Sequence, residues 1–333
     1  MEPLLEVHDL VVEVRVAGEF APAVDGVSFD LGEGEALAIV GESGCGKTMT
    51  ARALLGLLTE VARVRGSIRL RGRELVGSGD EAWRSVRGRE IALVFQEPGA
   101  AFDPVATVGS QIVEAVRAHS KLDRRKAREV VRDRLREVGF PDPDRGMKEY
   151  PHRLSGGMKQ RAFLAMALAS DPSILVADEP TTALDATVAA QVLELLDRLR
   201  NERGLALLLI SHDLGVVARH AGRVIVMYAG RVVEEAPTEE LFRNPLHPYT
   251  RGLLASRPRL SVGGNGPERR FDAIPGAVPD LSAPREPGCA FAPRCPERFE
   301  PCDVREPALY AAGATVARCF LYERDTEHGT QGR

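Results

Sequence analysis

Cysteine is all but missing from most of this chain: a single thiol, Cys45, precedes residue 289. Long apolar runs are missing too. None approaches the roughly 18–20 residues that a helix needs to cross a bilayer. The opening MEPLLEVHDL has acids where a signal peptide carries Lys or Arg. Nor is there an excess of basic residues: 44 Lys and Arg stand against 48 Asp and Glu, a formal charge of -4. No general basic surface therefore argues for nucleic acid. These absences exclude a spanning segment, a secreted disulfide scaffold and a basic nucleic-acid binder. They leave a cytoplasmic protein whose role at a membrane, if it has one, comes through a partner.

What is present suits a large domain with an appendage. The chain has 333 residues, 44% hydrophobic and 28% charged, which is ample for a core. Residues 1–35 alternate as short strands, LLEVHDLVVEV and AVDGVSFDL. GEALAIVG follows as a buried strand, then a glycine loop, then a helix from about Lys47 to Leu58. VRGSIRLRGREL reads as a hairpin, and RVRGREIALVFQ leads into another core strand. From about 97 to 170 the pattern is helical, with Val130, Val131, Leu135 and Val138 on one face and Gly139 as a stop. The α/β pattern resumes with a strand Ile174–Ala177, a helix Thr187–Arg203 stopped by Gly204, a strand Leu205–Ile210 and a strand RVIVMYAGRVVEEA. After PLHPYTRGLL the chain turns rich in Pro and Gly, placing a boundary near 255–260. The expected fold is α/β: a P-loop NTPase core with an antiparallel β subdomain, an inserted helical subdomain (about 97–170) and a small Cys-containing C-terminal extension. Residues 1–256 form the first domain and 257–333 the extension.

GESGCGKT, from Gly41 to Thr48, has the full phosphate-loop pattern between a strand and a helix. Gly41, Glu42, Ser43, Gly44, Cys45, Gly46, Lys47, Thr48 and Met49 are the expected ATP contacts. Glycines let successive N–H groups curl round an anion, at the positive end of the helix. Lys47 reaches the β- and γ-phosphates and Thr48 offers its hydroxyl to Mg²⁺. ILVADEP delivers two acids at a strand end: Asp178 to hold Mg²⁺ through water, and Glu179 to deprotonate the attacking water. His212 follows another apolar strand and is expected to stabilise charge at the γ-phosphate. Gln96, after IALVF, is a Mg²⁺ or water contact that tracks the γ-phosphate. A lone histidine is more often structural; its place at the ligand-facing edge of parallel strands favours function here.

LSGGMKQR (Leu154–Arg161) adds what an ordinary phosphate-loop enzyme does not need. Ser155, Gly156 and Gly157 make a second anion-binding turn at a helix start. One reading is a plain N-cap serine. The other is a lip that covers the γ-phosphate of a nucleotide bound by a second subunit.

These motifs in this order resemble the nucleotide-binding subunits of ABC transporters over roughly residues 4–255. GESGCGKT resembles the Walker A motif, Gln96 the Q-loop glutamine, LSGGMKQR the signature and ILVADE the Walker B motif. Asp185 in TTALD matches the D-loop and joins the contacts to the partner's nucleotide, while His212 matches the switch histidine. FQEPGAAFDP, NPLHPYTRGLL and the cysteine tail are similar to the oligopeptide/dipeptide importer branch and its nickel-importing relatives. The resemblance implies an ATPase that powers peptide import at the cytoplasmic face of the membrane. Its partners would be a homologous ATPase subunit, two membrane permease subunits and, outside, a solute-binding protein. A soluble ABC ATPase acting on nucleic acid or ribosomes, a non-catalytic subunit, and nickel import are the alternatives. Two departures stand out. The aromatic that usually stacks on adenine has only Phe20 nearby, at an unusual spacing, and Ala183 replaces the usual serine of the D-loop. Within 97–108, Phe102 is the expected groove-filling contact with the membrane partner.

Cys289, Cys295, Cys302 and Cys319 are spaced Cys-x5-Cys-x6-Cys-x16-Cys among prolines. Structural zinc favours tighter pairs, and the wider gaps suit a [4Fe–4S] cluster at least as well. Relatives with this tail are described as cluster-bearing. Zinc and free thiols packed as small hydrophobes remain open. Cys45 is expected to bind no metal, and His247 and the other histidines are expected to lack close acidic partners.

Overall fold

The computed structural model describes residues 3–58, 62–95, 98–182, 184–256, 274–283 and 287–326. Two antiparallel strands open the chain, β1 (Leu5–Val16) and β2 (Glu19–Leu31); β3 (Ala36–Val40) runs into the glycine loop and α1 (Lys47–Ala53). β4 (Ala62–Leu70), β5 (Arg73–Glu74), α2 (Asp80–Val86) and β6 (Ile91–Val94) follow. The helical insert holds α3 (Val108–Ala118), α4 (Arg124–Glu137), α5 (Pro143–Gly146) and α6 (Gly156–Ala167). Then come β7 (Ile174–Asp178), α7 (Ala186–Arg203), β8 (Ala206–Ile210), α8 (Leu214–His220), β9 (Arg223–Tyr228), β10 (Arg231–Pro237), α9 (Thr238–Arg243) and α10 (Pro248–Ala255). The extension contributes α11 (Pro301–Val304) and a hairpin, β11 (Tyr310–Ala312) with β12 (Thr315–Ala317).

The strands form a four-stranded sheet in the order β2-β1-β4-β5 and an eight-stranded sheet in the order β11-β12-β10-β9-β3-β8-β7-β6. From β9 to β6 the large sheet is parallel. Side chains of a strand alternate between its faces, and the core divides accordingly. Leu37, Ile39, Ile174, Val176, Leu208 and Ile210 pack toward the antiparallel sheet. Leu175, Ala177, Leu207 and Leu209 pack toward the helical insert. A sheet buried on both faces explains why these strands read as continuous apolar runs rather than alternating ones.

Two expectations change. The helix after the glycine loop ends at Ala53, and the chain turns at Gly56, whose φ is +58°. RVIVMYAGRVVEEA is two antiparallel strands, because Ala229 and Gly230 both take positive φ and reverse the chain. In the extension, β12 pairs with β10, Glu234 opposite Ala317 and Glu235 opposite Val316, so its hairpin widens the core sheet. The boundary expected near 255–260 falls largely on residues outside the described ones.

Candidate active site

β3 is fully buried and delivers Gly41 to the end of the parallel strands, where ligands bind in such sheets. Glycine is required at two positions here. A Cβ on Gly41 would lie 2.2 Å from the Met227 carbonyl oxygen; one on Gly46, the left-handed N-cap of α1, would lie 2.5 Å from that of Ala23. Lys47 is buried and its Nζ folds back onto the loop, donating to the carbonyl oxygens of Gly41 (2.8 Å) and Glu42 (2.9 Å). Cys45 is fully buried, 3.6 Å from Lys47 Nζ, and burial pushes its thiol pKa up. The loop is also gripped from outside. Glu42 N–H donates to Tyr249 Oη at 2.8 Å, and Arg294 makes two bonds to the Glu42 carboxylate at 2.7 and 3.0 Å.

β7 carries Asp178 beside this loop. Burial raises its carboxyl pKa, opposed by a hydrogen bond with Thr48. Among the described residues, Asp178 Oδ1 is buried without a hydrogen-bond partner. An orphaned carboxylate oxygen next to a threonine hydroxyl is the donor set a hard divalent cation takes. Mg²⁺ therefore fits between Thr48 and Asp178. Glu179 follows in the left-handed region, φ +51°, a cost on the order of 1–2 kcal/mol for a residue with a Cβ. Its N–H donates to the Ile210 carbonyl, and its carboxylate accepts from Thr182 Oγ1 at 3.0 Å. The other oxygen lies 3.2 Å from His212 Nδ1. Adjacent strands β7 and β8 thus set the acid and the histidine against each other.

Ser155, Gly156, Gly157 and Asp185 lie elsewhere. Ser155 is the N-cap of α6, accepting from Met158 N–H, and Asp185 is the N-cap of α7, accepting from Thr187 and Val188. Ser155, Gly156 and Asp185 are exposed, and among the described residues no hydrogen bond or ion pair joins any of the four to the phosphate loop. Gly157 packs on Val188: a Cβ there would lie 2.9 Å from Val188 Cγ1. Gln160, buried in α6, donates to the Pro180 carbonyl at 2.8 Å and so ties the Ser-Gly-Gly turn to the loop after Glu179. Its sequence neighbours, Lys159 and Arg161, give no sign that it is buried.

Several expectations need separate report. Gln96 and Ala183 lie outside the described residues. Phe20 borders the same large cavity as Gly44, with the Arg63 guanidinium 3.8 Å over its ring. Phe102 is not a surface contact: it is buried in the helical insert, edge-on to Phe163 at 6.2 Å, while Val105 is 81% exposed. His220 contradicts the expectation of histidines without acids, pairing with Asp197 at 2.6 Å, and His8 lies 3.6 Å from Glu6. His247 is buried, capping α10 at Tyr249 N–H, with its pKa pushed down to about 3 by burial. The NPLHPY stretch also hydrogen-bonds to buried Glu234, which accepts from the N–H groups of Leu246 and His247. Cys289, Cys295, Cys302 and Cys319 line one small apolar cavity. Burial raises the thiol pKa of Cys289 and Cys295, and that of Cys319 to about 11. Among the described residues no three His, Cys, Asp or Glu side chains group closely enough to hold a metal ion.

A phosphate loop, two strand-end acids, a facing histidine and a second glycine turn define an ATP-hydrolysing P-loop cassette. Residues 24–182 match the family model of the ABC transporter, and residues 233–302 that of the oligopeptide/dipeptide transporter C-terminal region. The dipeptide transport ATP-binding protein DppD of Bacillus subtilis is 46% identical over 331 residues, 98% of this chain and 97% of that protein. The oligopeptide transport ATP-binding protein AppD of the same organism is 46% identical over 329 residues, 98% of each. Among solved structures, the dimeric MJ0796, a bacterial ABC transporter cassette, has a TM-score of 0.64 at 25% identity, covering 70% of this chain and 98% of that one. The chain belongs to the ATP-binding proteins of ABC transporters, in their oligopeptide/dipeptide branch. It is an ATPase.

Proposed function

We propose that this protein is the ATP-hydrolysing subunit of a peptide importer, working as a nucleotide-sandwich dimer with a homologous ATPase. Two permease subunits would anchor the pair at the cytoplasmic face of the membrane, fed by a solute-binding protein outside. Among the described residues no helix is long and apolar enough to cross a membrane. The peptide assignment rests on the relatives' names and on the matched C-terminal region. Residues 1–256 form the nucleotide-binding domain and 257–333 the extension. Exposed Val105, in the segment 97–108, is the contact offered to a permease.

ATP lies with its phosphates on the backbone of Gly41–Met49 and against Lys47, which leaves the Gly41 and Glu42 carbonyls for them. Thr48, Gln96 and Asp178 would hold Mg²⁺, which neutralises charge on the β- and γ-phosphates when bound. Glu179 takes the proton of the attacking water, and His212 steadies both that carboxylate and the developing charge. Ser155, Gly156, Gly157 and Asp185 face the nucleotide of the other subunit; the exposure of Ser155, Gly156 and Asp185 supports this, since among the described residues no hydrogen bond ties them to this chain's own phosphate loop. The observation that carries the reading is Glu179 set 3.2 Å from His212 beside the phosphate loop. Glu179→Gln should keep ATP affinity, lower kcat by 10²-fold or more and trap a closed dimer in gel filtration. Turnover close to wild type would refute the assigned base.

The four cysteines support a [4Fe–4S] cluster over a single zinc ion. All four line one cavity, and a cluster of this kind would take one thiolate at each of its four irons. Anaerobically purified protein should be brown, with about four irons per chain; colourless, iron-free protein would overturn this.

A further inference from the structure

Glu42 sets a carboxylate in the phosphate loop, with the same charge as the ligand. All of its polar groups are engaged. Its N–H donates to Tyr249 Oη, and its carbonyl accepts from Lys47 Nζ at 2.9 Å and from Cys45 N–H at 3.3 Å. Its carboxylate accepts both arms of Arg294. Arg294 lies 252 residues away, in the extension. It is itself held: buried, its Nε donates to the Pro275 carbonyl at 2.7 Å, and its guanidinium sits 5.7 Å from the Tyr228 ring. Three residues before it, Phe291 is buried among Tyr228, Tyr249 and His247, with ring centroids 5.2–5.7 Å apart. Phe291 bolts the extension to the core, and Arg294 reaches from that bolt to the loop. Planar, two-armed pairing of this kind fixes a carboxylate in direction as well as in charge.

We propose that Arg294 is a positioning residue of the ATP site, which cancels the Glu42 charge and holds the phosphate loop open for the triphosphate. The extension is then part of the nucleotide site rather than an appendage to it. This rests on the reading of Gly41–Thr48 as the seat of the phosphates. Without Arg294, the Glu42 carboxylate stands unpaired beside the triphosphate and repels it. The consequence is a particular pattern among variants: the defect of losing Arg294 is relieved by also removing the charge it cancels.

The test measures binding of a fluorescent ATP analogue and steady-state ATPase kinetics with the full chain. Arg294→Ala should weaken nucleotide binding about tenfold and raise KM alike, with kcat at saturating ATP within about twofold. Glu42→Gln alone is the reference of the cycle: Arg294→Ala should cost less affinity on that background than on the wild type. The double variant Glu42→Gln/Arg294→Ala should bind more tightly than Arg294→Ala. Unchanged affinity in Arg294→Ala, or a double variant as weak as it, would overturn the proposal. Should Arg294→Ala not fold, Arg294→Gln keeps the stem without the charge and carries the same expectation. Lys47→Ala separates the two readings: if it binds ATP as well as wild type, the phosphate-loop assignment itself has failed.

Discussion

Asp178 holds a carboxylate in a place that burial makes costly, with one oxygen left without a partner among the described residues. An uncompensated buried charge destabilises a fold unless something binds it. Its raised pKa means that this acid contributes stability at low pH, lost as pH rises through the folded-state value. Asp178→Asn should therefore stabilise the nucleotide-free protein at neutral pH by about 1 kcal/mol, while abolishing the upward shift in Tm that Mg-ATP confers on the wild type. Thermal melts with and without Mg-ATP check both. A variant that melts lower without nucleotide would contradict the account. The residues of this site were legible because each stands at a fixed offset from a strand end or a glycine turn. Arg294 and Tyr249 were not, since nothing in GESGCGKT marks partners 207 and 252 residues downstream. Glu179 facing His212 was half legible: both were placed at the ligand edge, but their pairing depends on β7 and β8 being neighbours.

At the scale of elements, the segment between β10 and α10 is a strut. Glu234 holds the N–H groups of Leu246 and His247, His247 caps α10, and Tyr249 at its start reaches the phosphate loop. NPLHPYTRGLL was readable as a family mark, while its mechanical role was not. The neutral His247 makes the strut sensitive to acid. An unfolded histidine takes up its proton near pH 6.5, whereas His247 in the fold does so only near pH 3. Its contribution is present above 6.5 and is lost as pH falls from there, by on the order of 1 kcal/mol per pH unit. Glu234, raised by burial, acts in the opposite sense: its contribution is present below its ordinary value and is lost as pH rises. His247→Asn, which keeps a capping oxygen, should flatten the fall in stability between pH 6.5 and 4. Denaturant midpoints across that range measure it, and an unchanged slope would refute the assignment. Elements misread from sequence share one cause. Gly56 and the Ala229–Gly230 pair break runs whose composition reads as continuous.

Across the whole molecule, two sheets and a helical insert were expected, and the P-loop core follows from the order of the motifs. What composition could not give is the route of the tail. Its prolines and cysteines mark a separate unit, yet its hairpin finishes the large sheet, and its arginine touches the phosphate loop. Long-range pairing leaves no local periodicity to read. Phe102 shows the reverse failure: an aromatic expected as a contact for the membrane partner serves instead as core for the insert.

β10 and β12 are neighbours in space but lie roughly eighty residues apart along the chain. At a translation rate of about 5–20 residues per second, the outer flank of β10 waits on the order of ten seconds for its mate. During that interval the nascent chain shows a bare ladder of amides and carbonyls to its surroundings, the kind of rim that invites mispairing. Timing on the ribosome is therefore a hazard written into this topology, and holding that rim covered is a task for whatever meets the chain first.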